Sequence, residues 1–133
     1  AFVRAIAVSE SNLIPHRISA AGAMGIMQLM SFTAKDMAVE DPFDSEQNIN
    51  GGVKYIAYLW RRYKGDQRRV AAAYNAGMGR VPRRGPLQLP GETRHYVKKV
   101  VRESKRLAKL EKYRIQRTST APKSQKAGLA QGR

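Results

Sequence analysis

Acid–base chemistry needs a carboxyl whose surroundings hold its proton at working pH, and ten carboxylates compete for that role in this chain. Asp36, Glu40, Asp41, Asp44, Glu46 and Asp66 fall at helix starts, in turns or among polar neighbours, where capping and solvation explain them. Glu103 and Glu111 lie among Lys and Arg at helical spacing, as ion-pair partners. Two remain. Glu10 ends an apolar helical run and precedes Asn12-Leu13-Ile14-Pro15, surroundings that raise a carboxyl pKa and keep the group protonated near neutrality. Glu92 opens Glu-Thr-Arg-His-Tyr just ahead of a helix, where a carboxylate also serves as an ordinary cap. Elimination leaves both open, with Glu10 ahead of Glu92.

The residues after Glu10 add to its case. Ser11 follows directly, then a Ser-Ala-Ala-Gly-Ala-Met-Gly loop, then Met27-Gln28-Leu29-Met30. One carboxylate, a glycine-bent backbone and an amide among methionines suggest a sugar-polymer cleft worked by one acid/base group. Core packing is the commoner fate of Met24, Met27 and Met30, so Gln28 is the stronger candidate for contact with a ligand.

Helices must position these groups. Phe2, Val3, Ile6, Ala7 and Glu10 recur at helical spacing, and Pro15 is expected to end that helix. Residues 19–25 read as a glycine loop, and 33–39 as a short helix. Asp44 or Ser45 caps a longer helix carrying Ile49, Val53, Ile56, Leu59, Trp60 and Tyr63 on one side. Gly65-Asp66 ends it and starts the next, Arg68 to Ala76, which Gly77 terminates. Residues 77–91 form a loop, and Thr93 is expected to cap a last helix running through Leu110. From about Thr118 the composition reads as disorder. No strand alternation persists, so the fold class is mainly α.

Composition sets the outer bounds. A chain of 133 residues with 42% hydrophobic residues fits one domain, large enough to bury roughly two-thirds of its unfolded surface without metal or disulfide. The absence of cysteine excludes cysteine nucleophiles and Cys-based zinc sites, and two histidines make a His-rich metal site a poor reading. No apolar run reaches the roughly 18 residues of a membrane span. The start at Ala1, with neither Met nor a signal peptide, reads as a fragment or a processed form. Net charge is +15, and residues 98–133 hold 12 Lys/Arg against 2 Glu. That imbalance implies a polyanionic neighbour or, equally, a solvated helix face with a flexible tail.

Glu10-Ser11, Gly22-Ala23-Met24-Gly25-Ile26-Met27-Gln28-Leu29-Met30, Ala73-Tyr74-Asn75-Ala76-Gly77 and Glu92-Thr93-Arg94-His95-Tyr96-Val97 stand in the order and form that resemble the soluble lytic transglycosylase (SLT) domain family, relatives of goose-type lysozyme. Asp41-Pro42 through Asn48 and Gly51 resemble its connecting stretch. The resemblance implies a lysozyme-like helical domain over residues 1–113, N-terminally incomplete by about a helical turn or more, with a glycan-binding cleft. Residues 114–133 then form a basic, disordered tail. It implies a lyase that cleaves the bond between N-acetylmuramic acid and N-acetylglucosamine without water, leaving 1,6-anhydro ends. Glu10 matches the family's single catalytic glutamate. Gln28 and Met30 match its cleft-lining pair, Tyr74 the tyrosine placed near that glutamate, and Glu92 a glutamate near glycan contacts. Ser11 matches the residue that orients the glutamate or caps locally, and Asn75 a position as much structural as ligand-binding. Tyr96 is assigned to the core. Two departures stand out: Ser31 replaces the usual Pro after Met30, and Leu13 an aromatic.

The same resemblance implies peptidoglycan glycan strands as partner, a monomer with no metal or cofactor, and a periplasmic, envelope-associated or extracellular bacterial location. The basic tail suits anionic wall polymers or a membrane surface. Specific nucleic-acid binding is disfavoured, because the tail interleaves no aromatics beyond Tyr113. The alternatives are a hydrolytic goose-type muramidase and a non-catalytic module binding peptidoglycan or polyanions.

Overall fold

The computed structural model describes residues 1–120 and contains five α-helices: α1 (Phe2–Ser11), α2 (Ser31–Asp36), α3 (Ser45–Arg62), α4 (Gln67–Ala76) and α5 (Gly91–Ser119). A single 3-10 turn, Met78–Arg80, follows α4. Extended pairing among the described residues is confined to two isolated bridges, Ile18 with Met24 and Met24 with Leu29. The architecture is therefore mainly α. None of these helices is long and apolar enough to cross a membrane.

The core forms where α1 and α4 both pack on α5, with α3 closing against α4. Ala5 and Ile6 of α1, Val70 to Ala73 of α4 and Val100 of α5 have no exposed surface. Alanines at three consecutive core positions of α4 keep the helices close, because no branched side chain stands between the backbones. Asp44 caps α3 by accepting from the Gln47 amide at 2.9 Å, and Asp66 caps α4 by accepting from the amides of Arg68 and Arg69. Gly77, at φ 90°, ends α4.

Some expectations are corrected. The first helix stops at Ser11, four residues before Pro15, because Asn12 and Leu13 turn left-handed at φ 52° and 64°. Thr93 does not cap α5; Pro90 holds that position, and Thr93 is a buried side chain two residues inside the helix. The face of α3 is broader than its core contact: Ile56, Leu59 and Tyr63 are buried, while Ile49, Val53 and Trp60 are each more than a third exposed. Trp60 instead meets Phe2 edge-on, ring centres 5.5 Å apart. Residues 114–119, expected in the tail, continue α5, supported by the Arg117 guanidinium over the Tyr113 ring. The disorder expected further on lies outside the described residues.

Candidate active site

Ile6 and Glu10 lie four residues apart on α1 and so share a face. Ile6 is fully buried, and Glu10 carries that face into the last turn of the helix. The Ser11 hydroxyl donates to the Ile26 carbonyl at 2.7 Å, which holds the 24–28 loop against the end of α1. Ser11 has no exposed surface, so it fixes the loop beside Glu10 and does not meet a ligand directly.

A second clamp fastens the loop from α3. Asn48, fully buried, accepts from the Met27 amide at 2.7 Å and donates to the carbonyls of Met24 (3.0 Å) and Pro42 (2.8 Å). All three bonds satisfy backbone groups that burial would otherwise leave unpaired. Two glycines make room for this. A Cβ on Gly25, which sits at φ 78°, would fall 2.4 Å from the Asn48 amide nitrogen, and one on Gly52 would fall 2.6 Å from the Met27 side chain. Met27 is therefore core, as its residue type suggests.

Burial raises the Glu10 carboxyl to a pKa of about 7, with the Tyr96 hydroxyl and the Lys99 ammonium partly offsetting it. At neutral pH the group is shared between acid and carboxylate, so it can both give and take a proton. Two tyrosines flank it. The Tyr96 hydroxyl is buried and turned toward Glu10, a donor contact that stops short of full hydrogen-bond geometry. The Tyr74 hydroxyl donates to the Met27 carbonyl, leaving its lone pairs free to accept. Burial first, and then the charge on Glu10, push both phenols well above their ordinary range, so they act as neutral hydrogen-bonding groups.

Tyr74 also joins Gln28, Met30, Phe32, Tyr55 and Asn75 in lining a cavity of about 350 Å³. Glu10 is not in that wall; Tyr74 connects the two. The Gln28 amide nitrogen donates to the carbonyls of Arg17 (3.0 Å) and Gly25 (2.9 Å), so both its protons hold the loop and only its oxygen is left for a ligand. Met30 stands half-buried at the start of α2, a thioether at the cavity edge. Asn75 is exposed and accepts from the Thr93 hydroxyl at 3.0 Å, tying α4 to α5. Glu92 lies exposed in the first turn of α5, without a described partner. A larger cavity of about 720 Å³, between Arg80, Leu87 to Pro90 and Arg94, holds none of these residues. Among the described residues no three His, Asp or Glu side chains converge as a metal would need.

Tyr96, which the sequence assigns to the core, is the residue the structure adds beside Glu10. Its spacing with Val97 and Val100 reads as core, and its ring is core. The available signal is its phenol oxygen, a polar atom on an apolar face that needs a partner when buried.

The chain belongs to the Transglycosylase SLT domain family, whose model matches residues 1–96. The membrane-bound lytic murein transglycosylase F of Desulfosudis oleivorans is 41% identical over 85 residues, covering 59% of this chain and 19% of that protein. The transglycosylase of Enterobacteria phage PRD1 is 40% identical over 75 residues, covering 56% of this chain and 28% of its own length. Among solved structures, an inactive mutant of lytic transglycosylase Slt from Pseudomonas aeruginosa superposes with a TM-score of 0.67 at 29% identity, covering 74% of this chain and 20% of that one. The chain thus spans between a fifth and a little over a quarter of the length of these relatives.

Proposed function

We propose that this domain is a peptidoglycan lytic transglycosylase that cleaves the β-1,4 bond between N-acetylmuramic acid and N-acetylglucosamine without water. The observation that carries the reading is the Glu10 carboxyl with a pKa of about 7, flanked by two neutral tyrosine hydroxyls. The catalytic unit spans residues 1–113 in this reading, and the work takes place in the bacterial cell envelope, where the glycan strands are.

The chemistry follows from the proton inventory. Protonated Glu10 gives its proton to the glycosidic oxygen, the C1–O bond breaks, and positive charge develops at C1 and the ring oxygen. Glu10, now a carboxylate, takes the proton of the C6 hydroxyl on the same sugar while that oxygen bonds to C1. The 1,6-anhydro ring closes, Glu10 is again protonated, and no water enters. One residue suffices for both transfers, in contrast to the two carboxylates of an ordinary glycosidase. Lys99 is the charged neighbour that acts on Glu10, while Glu92 stands apart in the first turn of α5. Tyr74, its proton engaged with Met27, is suited to accept from the protonated carboxyl or from the C6 hydroxyl. Tyr96 is suited to donate to the carboxylate formed between the two steps. The Gln28 oxygen and the Met30 thioether supply an acceptor and an apolar surface for the sugar.

Incubation with purified sacculi tests the reading. The chain should release soluble muropeptides, and Glu10→Gln should release none while still sedimenting with the sacculi. Release by that variant at the parent rate would overturn it.

A further inference from the structure

At the C-terminal end of α3, another pocket, of about 300 Å³, shares no residue with the cavity that Gln28 and Tyr74 line. It is lined by Arg61, Arg62, Tyr63, Lys64, Arg83 and Arg84: five cations, one phenol and no carboxylate. The end of a helix accounts for Arg61 and Arg62, which favour its partial negative charge. It does not account for Arg83 and Arg84, which arrive from the 77–91 loop.

That loop is held in place. The Arg69 guanidinium donates to the Pro82 carbonyl at 2.8 Å and to the Gly85 carbonyl, clasping the segment that carries Arg83 and Arg84. The Tyr63 hydroxyl donates to the Val81 carbonyl at 2.8 Å and fastens the same loop to α3. The acid close by in sequence, Asp66, is committed to Arg69 at 3.1 Å and to two helix amides. Among the described residues, none of the five cations forms a salt bridge. The Arg62 guanidinium sits over the Tyr63 ring, and its side chain stays at the solvent boundary. Five like charges around one cavity repel each other.

An anion seated in the pocket relieves that repulsion. Four guanidinium groups present planar forks suited to an oxyanion with several acceptor oxygens, and five cations favour more than the single charge of a carboxylate. We propose that this pocket is a binding site for a phosphate group, carried by free phosphate or by the headgroup of an anionic phospholipid. It makes no use of the glycan reading above and stands or falls without it.

Calorimetric titration of the full chain with inorganic phosphate, and sedimentation with phosphatidylglycerol or phosphatidylcholine vesicles, tests the site at fixed ionic strength. Arg83→Gln/Arg84→Gln should weaken binding at least about tenfold, because it removes two forks from the cradle. The charge-matched Lys109→Gln/Lys112→Gln on α5 should change it by no more than about twofold, through screened long-range charge alone. Circular dichroism and the fluorescence of Trp60, the chain's only tryptophan, check that the loop variant stays folded. Loop-dependent binding of inorganic phosphate supports the site and identifies free phosphate as sufficient. Loop-dependent binding of phosphatidylglycerol vesicles, absent with phosphatidylcholine and undetectable for phosphate alone, supports it and identifies the lipid headgroup. Equal loss in the two double variants, or no binding of either probe, overturns it.

Discussion

Glu10 and Glu103 are the same residue in two regions of one molecule, and their proton affinities move in opposite directions. At the end of α1, burial dominates and lifts Glu10 to a pKa of about 7. On α5, the guanidinium of Arg106, bound through two nitrogens, holds Glu103 below its ordinary value. Glu103 is partly covered yet stays at the solvent boundary. The difference teaches that pairing a carboxylate with a cation keeps it charged, whereas burying it against the core keeps it an acid. Only the Glu10 region holds a proton that can be handed over at neutral pH.

Asn48→Ala should break the comparison most. It strips one amide and two carbonyls of their partner and loosens the loop that the Ser11 hydroxyl holds beside Glu10. A loss of about 3 kcal/mol in denaturant unfolding is expected, with the Glu10 pKa falling toward that of an exposed glutamate. Unchanged stability would mean the clamp is dispensable.

Glu10→Gln should sharpen it. Because the folded-state pKa lies above the unfolded value, Glu10 favours the folded protein fully below about pH 4.5, and that contribution fades as pH rises toward 7. Relative to the parent, the variant should therefore gain up to about 3 kcal/mol of stability between pH 4 and pH 8. A gap between the two proteins that does not change with pH would contradict the burial of Glu10.

Tyr96→Phe should act next in size. Removing a donor that lowers the Glu10 pKa should move the alkaline limb of kcat/KM upward by roughly half a pH unit to one unit. An unmoved limb would return Tyr96 to the core. Glu103→Gln should do least: a surface ion pair of this kind should leave cleavage unchanged and shift Tm by only about 1 °C.

The helices were legible in the sequence because apolar residues at i, i+3 and i+4 and the caps at Asp44 and Asp66 are local signals. Glu10 was legible because only ten carboxylates had to be sorted, and because its neighbours resemble a family motif. What was hidden depends on pairs far apart in the chain. Thr93 looks like a cap until α4 brings Asn75 within 3.0 Å of its hydroxyl. Gln28 looks like a free amide until the loop closes and occupies both its protons. Tyr96 looks like core because most of its atoms are core, and only the packing of α1 on α5 sets its oxygen against Glu10. The apolar stripe of α3 promised more burial than it delivers, since Ile49, Val53 and Trp60 share its periodicity without reaching the core.

The central claim is that one carboxyl performs both proton transfers. Mass spectrometry of the fragments released from purified peptidoglycan tests it most directly. Muramic ends lighter by one water than hydrolysis products, in the 1,6-anhydro form, are the predicted result. Reducing ends would contradict it, and would require a water and a second group opposite Glu10.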